Sequence, residues 1–166
     1  MGALALSPIR YRAAPRGLYQ QQDTTQTLAE ALDEYYSLNA GIVVRPADLS
    51  PESAELFRSH DMCHVIFGLD TTFEDEAMAD VRTMLSCDVG ARHYAAYLAS
   101  DAQAKKIFKE IGLSAFLWGT VVAVPRLLKA VRASWQMPKR WPWRPPETYQ
   151  HRSLADLRRE YGVRVI

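Results

Sequence analysis

Only one stretch of this chain, the residues "GIVV" at 41–44, has the pattern of a β-strand. Elsewhere the apolar residues recur at the three- and four-residue intervals of amphipathic helices. The sequence therefore predicts an all-α fold. We expect a single-domain helical bundle over residues 23–166, preceded by an N-terminal extension over residues 1–22 that is rich in Pro, Gly, Arg and Gln. A chain of 166 residues is long enough to bury a real core.

The helix boundaries follow from start and stop signals. Ser50 supplies a hydroxyl cap, Pro51 suits the first helical position, and Gly68 suits the end of the same helix. Thr71 and Glu74 are spaced as a capping box for the next helix. The predicted helices lie at about 24–38, 51–67, 71–85, 91–98, 111–135 and 153–161.

Two histidines stand four residues apart on the helix that begins at Pro51. His60, Asp61 and His64 project within one sector of roughly 100°, since a helix turns by about 100° per residue. Glu76 follows in the next helix, and a helical hairpin turning near Gly68 can bring its carboxylate to the histidines. Two imidazoles with one or two carboxylates suit a divalent ion, zinc before magnesium, iron or another first-row metal.

Three other interpretations use the same residues. The histidines can be core residues that are hydrogen-bonded to their neighbours. A zincin has the same histidine spacing, but it carries a glutamate where this chain has Asp61, and strands are scarce here. An HD-type phosphohydrolase requires a histidine upstream of the histidine–aspartate pair, and no histidine precedes His60. We favour the metal site over these three.

The motif resembles a known family. His60-Asp61-x-x-His64, eleven residues and then Glu76 is similar to the metal motif of the ubiquinone (coenzyme Q) biosynthesis protein 4 family. Two further stretches resemble the same family, "GLSAFLWGTVVAVPRL" at 112–127 and "YQHRSLADLRREYGV" at 149–163. The chain departs from the family at Asp75, where glycine is common, and in extra residues around "SDAQAKKIFKEIG" at 100–112. The resemblance is to a divergent, bacterial member.

The resemblance implies an all-α fold and one divalent metal held by His60, Asp61, His64 and Glu76. It also implies an enzyme, a carboxy-lyase that removes the C1 carboxyl group of a polyprenylated hydroxybenzoate-type intermediate of ubiquinone biosynthesis, with or without oxidation. Asp61 and His60 are then the candidate catalytic residues. The alternative is a non-catalytic isoprenoid-binding scaffold for other quinone-biosynthesis proteins, and a metal-dependent hydrolase is the third option.

The long apolar helix after residue 111 suits a polyprenyl chain. Its small residues leave room along a wall of Leu, Phe, Trp and Val, and close helix packing is the competing explanation. The span approaches transmembrane length, but Pro125 favours a bundle helix. The candidate prenyl contacts are Phe116, Gly119, Thr120 and Ala123.

Charge is nearly balanced over the whole chain, with 20 basic and 19 acidic residues, but it is unevenly distributed. Residues 126–144 hold six basic residues, no acidic one and three tryptophans. This composition suits an anionic membrane surface, with a plain solvated face as the competing explanation. No nucleic-acid fold accompanies it, so nucleic acid is not an expected partner. The candidate membrane contacts are Arg140, Trp141, Trp143 and Arg144.

The cellular context is inferred from the cysteines and the N-terminus. Cys63 and Cys87 do not make a disulfide framework, and the first residues lack the apolar run of a secretory signal. We therefore expect a cytoplasmic protein, peripheral on the inner membrane. A homodimer is compatible with the sequence.

Overall fold

The computed structural model describes residues 16–100 and 113–166, except positions 44, 46, 48 and 49. For residues 52, 97, 98, 100 and 113–122 the backbone is described without the side chain. These parts of the chain contain α-helices and no β-strand, which confirms the all-α prediction. In the described part of the "GIVV" stretch, residues 41–43, Val43 forms an isolated bridge with Ala40. The helices are α1 (Leu28–Leu38), α2 (Pro51–Phe67), α3 (Phe73–Ser86), α4 (Ala91–Ser100), α5 (Leu113–Trp135) and α6 (Leu154–Tyr161).

Local capping explains where the helices begin. The prediction for α1 was about four residues too long, because Thr27 and Glu30 form the capping box and Thr24 lies before it. Helix α2 matches its predicted bounds, with Ser50 as the N-cap. Helix α3 is capped by Thr72, whose side chain accepts from the Asp75 amide, so the predicted Thr71 cap was wrong by one residue.

Residues 16–22 belong to the packed domain, although the sequence assigned them to the extension. Tyr19 is fully buried, and its hydroxyl donates to the Leu69 carbonyl at 3.1 Å. Residues 18–20 form a 3₁₀ turn against α1 and α2. The first 15 residues of the predicted extension lie outside the described residues.

The α2–α3 hairpin forms the centre of the fold. Helix α1 packs against α2, and α3 packs chiefly along α5. The loop after α5 returns to the hairpin, where a short bridge joins Cys87 to Trp141. Within the described residues, no helix has the length and apolarity needed to cross a bilayer.

Candidate metal centre

Helix α2 places both histidines on the face that meets α3. It ends at Gly68, whose φ of +69° is left-handed and whose amide bonds back to the carbonyls of the last turn. A side chain at Gly68 would also collide with Val165, since a Cβ atom there would lie 2.7 Å from Cγ1 of that valine. Glycine is therefore required both for the left-handed conformation and for the close approach. The tight turn returns the chain into α3, which carries Glu76.

Three side chains converge between α2 and α3. One ligand atom from each of His60, His64 and Glu76 lies within 4.8 Å of the other two. The Nε2 atom of His64 is 3.4 Å from Oε2 of Glu76, and the two imidazole centroids are 4.8 Å apart. The side chain of His64 is fully buried, whereas that of Glu76 is 44% exposed. His64 therefore forms the buried side of the group, and Glu76 forms its solvent-exposed side.

The orientation of His64 makes Nε2 the free ligand atom. Its Nδ1 lies 3.1 Å from the carbonyl oxygen of Asp70, which can only accept, so Nδ1 carries the hydrogen. The Tyr35 ring stacks on the His64 ring, with centroids 5.4 Å apart. The buried Nε2 has no hydrogen-bond partner and faces the Glu76 carboxylate. A lone pair and an anion face each other here, and a proton or a cation between them is needed to offset the repulsion.

A chain of polar contacts fixes that Asp70 carbonyl. The amide of Asp70 donates to Asp75 Oδ2 at 2.8 Å, and Arg126 of α5 pairs with Asp75 Oδ1 at 2.7 Å. Arg16 holds the Asp70 carboxylate at 2.9 Å. Contacts of this kind orient the ligand-bearing groups of metal sites. Asp75 thus holds the backbone of Asp70, whose carbonyl contacts His64.

Asp61 is not brought into the group. Its carboxylate accepts the Tyr36 hydroxyl at 2.9 Å and is 3% exposed. Burial raises its pKa to about 6, although the neighbouring histidines and the Tyr36 hydrogen bond oppose the shift. The described cluster of His60, His64 and Glu76 does not include Asp61, because the position of α3 selects the two histidines and leaves the aspartate turned toward α1.

Asp80 is a nearby residue that the sequence analysis missed. Its Oδ1 atom lies 3.7 Å from Nε2 of His60 and accepts the hydroxyl of Tyr94 at 2.7 Å. The Tyr94 ring is also parallel to the His60 ring, at 6.4 Å between centroids. The signal for Asp80 is its spacing, since an acid four residues after Glu76 lies on the same face of α3.

The protonation of the group reflects these charges. Burial alone would lower the pKa of His60, but the contact with Asp80 and the charges of Glu76, Asp80 and Asp61 raise it to about 9. Burial also opposes protonation of His64, and Glu76 outweighs it, so the pKa of His64 is raised. The pKa of Glu76 is lowered by the two histidines against the effect of burial. Without an ion, protons neutralise the site, and an ion must displace them.

The predicted lipid contacts have different outcomes. Phe116, Gly119 and Thr120 lie on the backbone of α5, but their side chains are outside the described set, while Ala123 is fully buried. The prediction that Trp141 and Trp143 contact a membrane was wrong, because both side chains are buried.

Trp141 and Trp143 are 0% and 6% exposed and belong to the core. The Trp141 ring packs edge-on against Tyr161, and Trp143 packs against Tyr94. Arg144 pairs with Glu55 at 2.8 Å. Of the four predicted membrane contacts, only Arg140 is an exposed side chain without a described ion pair.

Comparison with other proteins adds no assignment: no protein-family model, no curated protein and no solved structure matches the chain. The geometry of the site therefore carries the functional argument.

Proposed function

We propose that His60, His64 and Glu76 bind one divalent metal ion, with zinc as the best fit. The observation that carries the proposal is the buried Nε2 of His64, which has no hydrogen-bond partner and faces a carboxylate 3.4 Å away. Two imidazoles and one carboxylate are a common catalytic ligand set for zinc, and they leave a coordination position open. Because Glu76 is 44% exposed, the open position of a bound ion would lie on the solvent side.

We further propose that the centre serves C1 decarboxylation of a polyprenylated hydroxybenzoate-type acid. The resemblance of the His60–Glu76 motif to the ubiquinone biosynthesis protein 4 family supports this substrate class. A bound divalent ion would act as a Lewis acid toward the substrate carboxylate or phenolate. Non-oxidative decarboxylation replaces a carboxylate by a proton at the same carbon. Asp61, held by Tyr36 beside the histidines, is the candidate residue to deliver that proton.

Asp61→Asn separates the catalytic role from the metal-binding role. Because Asp61 lies outside the ligand cluster, the variant should keep its zinc, and turnover should fall by about 100-fold or more through loss of the acid. The measurement is release of labelled carbon dioxide from a carboxyl-labelled prenylated hydroxybenzoate, with zinc content determined on the same sample. Tyr36→Phe is the milder companion variant, because it removes only the hydrogen bond to Asp61.

Two results would count against the enzyme. Wild-type protein that binds zinc and releases no carbon dioxide contradicts the decarboxylase. If a zinc-free Glu76→Gln protein still supports quinone production in a deletion host, the scaffold alternative is favoured. A metal-dependent hydrolase would share the same centre, and it would be identified by turnover of an ester or amide substrate.

One observation favours a lipid partner at the beginning of the predicted segment 126–144, in place of the four predicted contacts near its end. Val124, Leu128 and Trp135 of α5 are 44%, 65% and 79% exposed, and they lie along one side of the helix. Arg132 is exposed beside them, about 60° around the helix from the centre of that side. We name these four residues the apolar–basic face. Exposed apolar side chains beside a cation fit an anionic bilayer surface, and a prenylated substrate would be collected there.

Leu128→Ala and Arg132→Glu should each weaken binding to vesicles that contain phosphatidylglycerol. The first removes apolar area, and the second reverses an attraction of about 1 kcal/mol. Leu18→Ala and Arg159→Glu are matched controls, since both residues are exposed elsewhere on the surface. Co-sedimentation at rising salt is the measurement, because screening must weaken the ionic part. Equal losses in the test and control variants would remove the apolar–basic face from the proposal.

A further inference from the structure

Two buried thiols meet between the helices that carry the metal ligands. Cys63 is on α2, one residue before His64, and Cys87 is the C-cap of α3. Their Sγ atoms lie 3.6 Å apart, and both residues are 0% exposed. The cysteines are too few to predict a disulfide framework from sequence, but the fold brings the pair into contact.

Both cysteines lie on firmly held backbone. Cys63 is in the penultimate turn of α2, well inside the helix. The amide of Cys87 bonds to the Thr83 carbonyl at 3.3 Å. The adjacent residues pair with Trp141, whose amide donates to Ser86 at 2.7 Å and whose carbonyl accepts from Asp88 at 3.0 Å. A disulfide has a sulfur–sulfur bond of about 2.05 Å, so the two sulfurs must approach by roughly 1.5 Å. Small side-chain rotations and helix adjustments supply a movement of that size.

We propose that Cys63 and Cys87 form a reversible intramolecular disulfide when the protein meets a peroxide. One sulfur attacks a peroxide oxygen, the O–O bond breaks, and a sulfenic acid and water form. The second sulfur then displaces a water molecule from the sulfenic acid, and the S–S bond forms. In total two thiols lose two protons and two electrons, and hydrogen peroxide is reduced to two molecules of water.

The position of Cys87 sets the rate of this reaction. It immediately precedes the turn at 88–89, where Asp88 is exposed, and a backbone bridge joins it to Trp141. The oxidant reaches the pair when that bridge opens locally. We therefore expect oxidation to be slower than that of an exposed cysteine and faster than global unfolding.

The disulfide would have two consequences for the hairpin. It closes a loop across a sequence separation of 24 residues, which restricts the unfolded chain and raises the melting temperature by about 5–10 °C. The loop also contains His64 and Glu76, so the cross-link holds both ligand-bearing helices together. Tighter zinc binding by the oxidised protein follows from this, and this second consequence rests on the proposed function.

The test uses the purified full chain and hydrogen peroxide. After treatment, the protein is denatured and alkylated, and its intact mass is measured. We expect a loss of two hydrogen atoms, no alkylation, recovery of both thiols with a reductant, and a peptide in which Cys63 is linked to Cys87. The Cys63→Ser and Cys87→Ser variants should lose this product, and their spectra and melting curves show whether they fold. Thiols that stay alkylatable, thiols oxidised singly to sulfinic acid, or disulfide-linked dimers would each overturn the proposal.

Zinc content is measured on the same samples before oxidation. A disulfide in a protein that binds no zinc would contradict the metal centre and leave the thiol proposal standing. Bound zinc in a protein whose two thiols resist peroxide would contradict the thiol proposal and leave the metal centre standing. The two proposals therefore fail independently.

Discussion

His64→Ala should reduce the zinc content of the purified protein from one ion per chain to near zero. His64 forms the buried side of the site, and its free Nε2 is the ligand atom with no other partner. Without it, only His60 and Glu76 remain of the cluster, and two ligands do not close a zinc site. The affinity should fall by more than about 100-fold, which exceeds the usual effect of losing an outer-shell contact. Elemental analysis and competition with a coloured chelator measure both quantities.

His93→Ala is the matched control, because His93 is exposed on α4. It should keep its zinc in full. Because His64 is buried, a second variant, His64→Gln, retains more volume and separates ligand loss from a packing defect. Circular dichroism on each protein establishes that it is folded. Equal zinc in the wild type and both His64 variants would exclude the proposed centre.

The zinc affinity of the wild-type protein should depend on pH in a defined way. The pKa of His60 is about 9 in the metal-free protein, so the residue is protonated below that pH and must lose its proton to bind an ion. Zinc affinity should therefore rise with pH, by up to about tenfold per unit for one displaced proton, and level off near pH 9. The raised pKa of His64 has the same sign. A zinc affinity that does not change between pH 6 and pH 8 would show that zinc binding does not displace protons from these imidazoles.

The sequence predicted the elements whose boundaries are determined by neighbouring residues. Ser50, Pro51 and Gly68 act within a few residues of themselves, and α2 has the predicted bounds. Ser153 and Gly162 determine α6 in the same way. The start of α1 was misplaced because threonines at 24, 25 and 27 compete as caps, and only Thr27 has a glutamate at the capping-box position.

The candidate site was predicted in part, and the remainder depended on packing between elements. The spacing of His60 and His64 on one helix follows from helical geometry, and the hairpin at Gly68 brings Glu76 to them. The sequence of one helix does not show which of its faces packs against the neighbouring helix. For that reason Asp61 was grouped with the histidines and Asp80 was overlooked, although Asp80 is 3.7 Å from His60.

Burial of the tryptophans was not predictable from composition. Basic residues flank Trp141 and Trp143, and this local pattern resembles an interfacial segment. The structure buries both rings because the loop after α5 folds back, where Trp141 pairs with Ser86 and Asp88. That contact spans more than 50 residues of chain, so no local pattern contains it. Among the three tryptophans whose side chains the structure describes, the exposed one is Trp135, at the end of α5.

The second large effect is expected at Arg158 of α6, a fully buried arginine that has no hydrogen bond to a carboxylate among the described residues. Its Nε donates to the Ile66 carbonyl at 2.9 Å, and its Nη2 donates to those of Val65 and Tyr19 at 2.8 and 2.6 Å. Nη1 binds the Gln21 carbonyl at 2.5 Å. Burial lowers the pKa of Arg158 to about 10, so the group is still charged at neutral pH. One guanidinium thus joins the last turn of α2 to the segment at 19–22.

Arg158→Met should lower the free energy of unfolding by about 3–5 kcal/mol. The methionine fills much of the volume but leaves several buried carbonyl oxygens without donors, and each charged hydrogen bond contributes about 1.5–3 kcal/mol before the losses overlap. The free energy of unfolding of Arg158→Lys should lie between those of the wild type and Arg158→Met, because an ammonium group keeps the charge and cannot reach all four carbonyls at once. Urea denaturation measured by circular dichroism gives the three values.

Arg159→Met on the same helix is the matched control. The Arg159 side chain is 75% exposed and pairs with Asp156 three residues earlier, so its loss should cost less than about 1 kcal/mol. Because Arg158 binds the carbonyls of Val65 and Ile66 directly after His64, zinc should recover part of the stability lost in Arg158→Met by binding only the folded state. Arg158→Met and Arg159→Met proteins of equal stability would mean that Arg158 does not hold the end of α2 in place.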